Sequence, residues 1–220
     1  MMDWVVGIDF GEIYQATLDT LLMLGLSVLF SSVIGIPVGI LLHLTGKGSL
    51  WQNSVIYNGL SFIVNVLRSI PFIILLIVMI PISIFLVGTS LGAIGAIPPL
   101  VFAASAFFSR LTENSLKEVD DGVIYMAESC GATTWQIIWR ILLPEILPSI
   151  VATITVTAVT LVSYTAMAGA VGGGGLGDLA IRYGYQRFDT KIMLITVVLM
   201  VLIVQIIQFL GDRLARYLKH

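Results

Sequence analysis

Few side chains in this chain are of the kinds that perform covalent or metal chemistry, and those few do not cluster. Cys130 is the sole cysteine, so one chain can form no disulfide and no CxxC or Cys/His metal set. His43 and His220 lack carboxylate or thiol neighbours at ligand spacing, which argues against a metal site. A phosphate-binding loop needs G-x-x-x-x-G-K-[ST], and Gly46-Lys47-Gly48 lacks both the leading glycine and the hydroxyl. Gly172, Gly174 and Gly177 satisfy G-x-G-x-x-G, but no βαβ unit surrounds them to make a dinucleotide site. No Ser/His, Cys/His or paired-carboxylate set falls within an apolar stretch, so nothing supplies a nucleophile with its base. The chain is therefore expected to be non-catalytic and to carry no cofactor of its own.

Two other groups have spacings that suit transport rather than catalysis. Thr153, Thr157, Thr160, Tyr164 and Met167 follow at intervals of four, three, four and three, one stripe along a helix. Facing a second copy, that stripe would line a path for a small amino acid, with Met167 as a soft gate. The same threonines could instead bond their own backbone carbonyls or pack helix on helix. The second group lies in the long polar connection from 112 to 145. Glu118 to Ser129 reads as a short helix ended by a left-handed Gly131. Thr133 and Gln136 form a capping box for a second helix. That helix carries Trp135, Ile138, Trp139 and Leu142 as one apolar face and stops at Leu143-Pro144. It is too short to span a membrane and should lie along the surface, either docking to a partner or anchored at the headgroups by its tryptophans.

The elements that must position these groups are membrane spans. Hydrophobic residues make up 58% of the chain and charged residues 11%, against roughly 45–50% and about 25% in soluble domains. The first twenty residues hold Asp3, Asp9, Glu12 and Asp19 but no Lys or Arg, so a signal peptide is not expected. Residues 21–42 suit one span of about 20 residues. Between Arg68 and Arg110 there is no charge, a stretch of roughly 60 Å as a helix, twice the bilayer's need. It must be a hairpin bent at Gly88-Thr89-Ser90, giving spans over 58–87 and 92–110. Further spans are expected over 147–169 and 192–211. The fold class is thus an all-α integral membrane protein with about five transmembrane helices.

With the N-terminus outside, inner segments receive Lys47, Arg110, Lys117, Arg140, Arg213, Arg216 and Lys219, and outer ones Arg182, Arg187 and Lys191. This excess places the N-terminus out and the C-terminus in the cytoplasm. Residues 1–15 then form an extracytoplasmic segment, 16–213 the transmembrane domain and 214–220 a cytoplasmic tail. Arg68, costly in lipid, should be a structural tie, and Gly35 with Gly39 suggests close helix packing. The 172–187 region reads either as a flexible outer segment that meets a partner protein, with Asp178, Arg182 and Arg187 as candidate contacts, or as a plain loop. Without a pair of buried acids for ion coupling, a secondary transporter or channel is the weaker alternative.

The spacing Gly131, nine residues, Ile141, one residue, Leu143-Pro144 resembles the cytoplasmic signature of type I ABC importer permeases. That signature's Glu-Ala-Ala stands here as Tyr125-Met126-Ala127, so only Ala127 is kept; Glu128 offers a carboxylate on nearly the same face. NVLRSIPF from Asn65, SYTAMAGAVGGGGLGDLAIRYGY from Ser163 and QFLGDRLAR from Gln208 resemble the methionine-importer branch. The resemblance implies a multi-pass permease of the bacterial inner membrane, working as a homodimer. It also implies two ATP-binding cassette subunits, which bind the ATP and magnesium, and an extracytoplasmic substrate-binding lipoprotein. Membrane lipid, and not nucleic acid, is the expected surrounding. By the same resemblance Ala127, Glu128, Gly131, Ala132, Trp135, Trp139 and Pro144 belong to the loop that meets the ATPase.

Overall fold

The computed structural model describes residues 10–218 and is helical throughout, with no strand among the described residues. Asp3, Asp9, Lys219 and His220, which enter the charge and ligand arguments above, lie outside the described residues. Helix α1 covers Phe10–Thr45, about 54 Å at 1.5 Å per residue and longer than the expected span 21–42. Helix α5 covers Gly92–Lys117, α9 covers Leu147–Gly169 and α11 covers Thr190–Leu218. Each of these four is long and apolar enough to cross a bilayer. Because α5 continues to Lys117, residues 112–117 belong to a span's end and not to the loop. Likewise α11 runs through most of the expected tail.

The expected second span, 58–87, is not one helix. It is α2 (Ser54–Ser69), α3 (Phe72–Val78) and α4 (Ile80–Val87), with a 104° bend between α2 and α3. Pro71 causes the break: Ile70 before it is extended, at φ −78° and ψ 124°, as steric conflict with a following proline ring requires. The expected bend at Gly88 is present, with φ at +78°; the break at Pro71 is an addition to it.

Glycine contacts set the direction of the helices. A Cβ on Gly35 would lie 2.7 Å from Phe108 Cδ1, and one on Gly39 would lie 2.6 Å from Thr112 Cβ. Residue numbers rise together on both helices, so α1 and α5 are parallel neighbours. The intervening α2–α4 must then cross the membrane once in the opposite direction. The G-x-x-x-G reading of Gly35 and Gly39 is borne out as close helix packing. Gly211 of α11 meets Thr155 of α9, while nearer the other end Met200 and Val204 of α11 share a groove with Val162 and Ala166 of α9. These two helices are therefore antiparallel. Counting the bent unit as one span gives five crossings.

Met23, Leu24, Leu100, Ala104, Ala158 and Leu161 form the main core where α1, α5 and α9 meet. The sparse burial of α11, with Ile192 and Thr196 its only buried residues, leaves its outer face to lipid or a partner. Gly92 N–H donates to Gly172 O at 2.8 Å, tying the turn before α5 to the segment after α9. That segment is not a free loop. Gly175–Leu179 forms α10, continued by a wide π turn over Ala180–Tyr185. Leu176 and Leu179 are buried, and Leu176 N–H donates to Thr20 Oγ1 at 2.9 Å.

Candidate functional site: a surface platform and a polar stripe

The platform faces the same side as the α1–α2 turn and the end of α11. Helix α6 (Asp121–Ser129) starts at Asp120, whose carboxylate caps Gly122 N–H at 2.6 Å; the helix therefore begins later than the expected Glu118. It ends in a Schellman motif. Ala132 N–H donates to Ala127 O at 3.0 Å, and Gly131 N–H donates to Glu128 O at 2.9 Å. Gly131 supplies the φ of +77° that this motif needs at its left-handed position. The capping box is also present: Thr133 N–H donates to Gln136 Oε1 at 2.8 Å, and Gln136 N–H donates to Thr133 Oγ1 at 3.4 Å.

The second helix differs from expectation in two ways. It does not stop at Leu143-Pro144: α7 (Thr134–Ile137) passes through a π turn at Ile138–Leu142 into α8 (Leu143–Glu145). Leu143 remains helical, at φ −64° and ψ −46°, and its N–H donates to Ile138 O. The wider turn makes room for the Pro144 ring, which would otherwise strike the carbonyl four residues back. Nor is the apolar face single. Ile137, Ile138 and Leu142 are buried against Leu44, Leu116 and Ile150. Trp135 and Trp139 are 62% and 64% exposed on the opposite side, and Tyr125 and Met126 of α6 are exposed as well. The buried face fixes the helix to the spans, and the tryptophans remain for contact.

Along α9 the polar stripe divides. Thr153 and Thr157 are buried within the chain, Thr160 and Tyr164 are half-buried, and Met167 is 45% exposed. Thr160 Oγ1 donates back to Val156 O at 2.8 Å, the plain backbone-bonding alternative, while buried Thr157 Oγ1 has no hydrogen-bond partner among the described residues. The open face carries Val156, Ser163 and Met167 instead. A groove of about 720 Å³ runs beside it, lined by Ser163, Ala166 and Met167 of α9 and Met200, Val201 and Gln205 of α11. Tyr164 stacks flat on Phe72, with centroids 4.4 Å apart and planes 1° from parallel.

The residues with candidate outer contacts are engaged internally. Arg182 pairs with Glu12 and Asp178, both at 2.9 Å. Burial works against its charge, but the hydrogen bonds and charges of Asp178 and Glu12 more than offset this and hold its pKa above the ordinary value. Arg187 lies 4.4 Å over the Tyr183 ring. Arg68 sits over Phe107 at 5.9 Å, a contact between α2 and α5 in keeping with a structural tie.

Two features are not anticipated from the sequence: the Phe72–Tyr164 stack and a buried cluster around Glu113. The cluster has a visible signature, Arg110-x-x-Glu113-x-x-x-Lys117, with spacings that place all three on one helix face. Assigning 112 onward to a loop conceals it.

Residues 35–220 match the family described as binding-protein-dependent transport system inner membrane component. The chain belongs to this family. It is also similar to a probable D-methionine transport system permease protein MetI of Vibrio cholerae, 48% identical over 93% of this chain and 91% of the relative. The methionine import system permease protein MetP of Bacillus subtilis is 46% identical over 93% of this chain and 92% of its own length. Among solved structures, an inward-facing form of the MetNI methionine ABC transporter superposes with a TM-score of 0.94, at 44% identity, covering 96% of this chain and 98% of that one. For this inner membrane component the five-crossing fold is thus shared over nearly its whole length. A bacterial alginate ABC transporter, at 17% identity and a TM-score of 0.75, shares the fold alone.

Proposed function

We propose that this chain is the membrane-spanning permease subunit of an ATP-driven methionine importer of the bacterial inner membrane. Two copies form the path, two ATP-binding cassette subunits drive it, and an extracytoplasmic binding lipoprotein delivers L-methionine, D-methionine or both. The observation that carries this reading is the full-length likeness to methionine permeases. The exposed tryptophan platform on a rigid buried base gives the likeness a physical site of action. ATP and magnesium are held by the partner subunits, and the chain itself is not an enzyme. Trp135 and Trp139 meet the cassette subunit, while Ala127, Glu128, Gly131, Ala132 and Pro144 hold the two short helices in their relative geometry.

The platform faces the cytoplasm, because the side it occupies also carries Lys47, Arg140, Arg213 and Arg216. The path follows the open face of α9, with Met167 as its gate and half-buried Thr160 and Tyr164 at its wall, while buried Thr153 and Thr157 stand behind it within the chain.

Reconstitution tests the reading. The chain is co-purified with its cassette subunits, placed in liposomes with binding protein, and assayed for uptake of labelled L- and D-methionine. ATP-dependent uptake that fails with Trp135→Ala is the expected result. Uptake without ATP or cassette subunits would make the chain a secondary transporter. ATP-driven uptake of a different amino acid would keep the permease and remove methionine.

A further inference from the structure

Among the described residues Glu113 is the only charged one that is buried, with a side-chain exposure of 0%. Its carboxylate takes Arg110 Nη1 on one oxygen at 2.6 Å, and Lys117 Nζ on the other at 2.6 Å. The second oxygen also accepts from Tyr57 Oη at 3.2 Å. Arg110 reaches further, donating from Nη2 to Ser61 Oγ and Asn65 Oδ1, both at 2.8 Å. Tyr57, Ser61 and Asn65 lie at intervals of four on α2, so one face of that helix is bound to one face of α5 through this polar cluster. Apolar packing already joins the same region through Leu42, Val64 and Ala106. Replacing a buried ion pair by hydrophobic residues is often neutral or stabilising, so adhesion alone does not call for this cluster. Its physical property is a fixed register between α2 and α5. The ion pairs within α5 hold Arg110 and Glu113 in place, and the three cross-helix hydrogen bonds, from Tyr57 to Glu113 and from Arg110 to Ser61 and Asn65, tolerate little sliding.

The position of the cluster decides what that register does. On one side, Lys117 ends α5, and Leu116 and Val119 belong to the core beneath the platform. On the other, α2 leads in five residues from Asn65 to the 104° bend at Ile70–Pro71. The next residue, Phe72, stacks on Tyr164 of α9. We propose that Glu113, with Tyr57, Arg110 and Lys117, is a positioning cluster that locks α2 to the coupling platform. Displacement of the platform then reaches the Ile70–Pro71 break and, through Phe72, the wall of the path. This inference rests on the coupled-importer reading above.

Two mild variants test it in the full complex with cassette subunits and binding protein in liposomes. Tyr57→Phe removes one hydrogen bond and leaves both cations on Glu113. Arg110→Lys keeps a cation beside Glu113 but lacks the fork that reaches Ser61 and Asn65 together. The readout is substrate imported per ATP hydrolysed. The expected result is normal co-purification of cassette subunits, with that ratio lowered at least threefold in both variants. A merely structural cluster lowers the amount of complex and both rates together, so an unchanged ratio overturns the proposal. Loss of assembly in Tyr57→Phe also overturns it, because the cluster would then be a folding element. If the wild-type complex shows no ATP-driven uptake, the importer reading itself fails, which the wild-type lane reports separately.

Discussion

At the scale of single residues, the loop signature is mostly backbone geometry. Gly131 has open space where a Cβ would stand, so its requirement comes only from its φ of +77°. An L-residue there costs roughly 1–2 kcal/mol, and β-branching adds to it. Gly131→Val should therefore distort the Schellman motif and tilt α7 relative to α6. Insertion should be unaffected, and transport per ATP should fall; normal coupled uptake would refute the role given to Gly131. Met167 makes a different kind of test. The residue is nearly half exposed beside the groove between α9 and α11. Met167→Ala should raise basal, ATP-independent methionine efflux from loaded liposomes severalfold with little loss of stability. Efflux equal to wild type would remove Met167 as the gate.

Elements are legible where a local signal acts locally. The capping box at Thr133 and Gln136, the left-handed Gly131 and the turn at Gly88 are each decided within a few residues, and each stands in the structure. Two prolines show the limit. Pro71 breaks a helix completely, whereas Leu143-Pro144 is absorbed by a π turn. The difference lies in what surrounds them, since Ile138 and Leu142 are pinned in a core on both sides of the widened turn. The exposure of the stripe on α9 is invisible in the sequence for a related reason. A spacing of three and four names a face, but only the packed neighbours α1, α5 and α11 decide which face is covered. Packing at Gly39 is open to direct measurement. Gly39→Leu would drive a side chain into Thr112 and the Ser109 carbonyl, which already lie within 2.7 Å of where a Cβ would stand. Overpacking of this kind typically costs about 1–3 kcal/mol. The thermal aggregation midpoint of the detergent-solubilised protein should drop, while Gly25→Leu, with nothing within 4 Å, should leave it unchanged.

For the whole molecule the deciding question is which face is cytoplasmic, and the chain supplies its own reporter. Cys130 is the sole cysteine and is exposed at the tip of the platform. Tyr14, 66% exposed near the start of α1, marks the other face. Three crossings separate the two positions if α2–α4 count as one span, as the parallel packing of α1 and α5 requires. An odd number puts them on opposite sides. A membrane-impermeant maleimide should therefore label Cys130 in inside-out vesicles and not in intact spheroplasts. Tyr14→Cys in a Cys130→Ser background should show the reverse. If both labels appear from the same side, the bent pair does not cross and the five-span architecture falls. If the two swap sides, the architecture stands but the platform faces away from the cytoplasm, where no ATPase could reach it. The excess of Lys and Arg on the platform side favours the first outcome, because basic segments are retained in the cytoplasm during insertion.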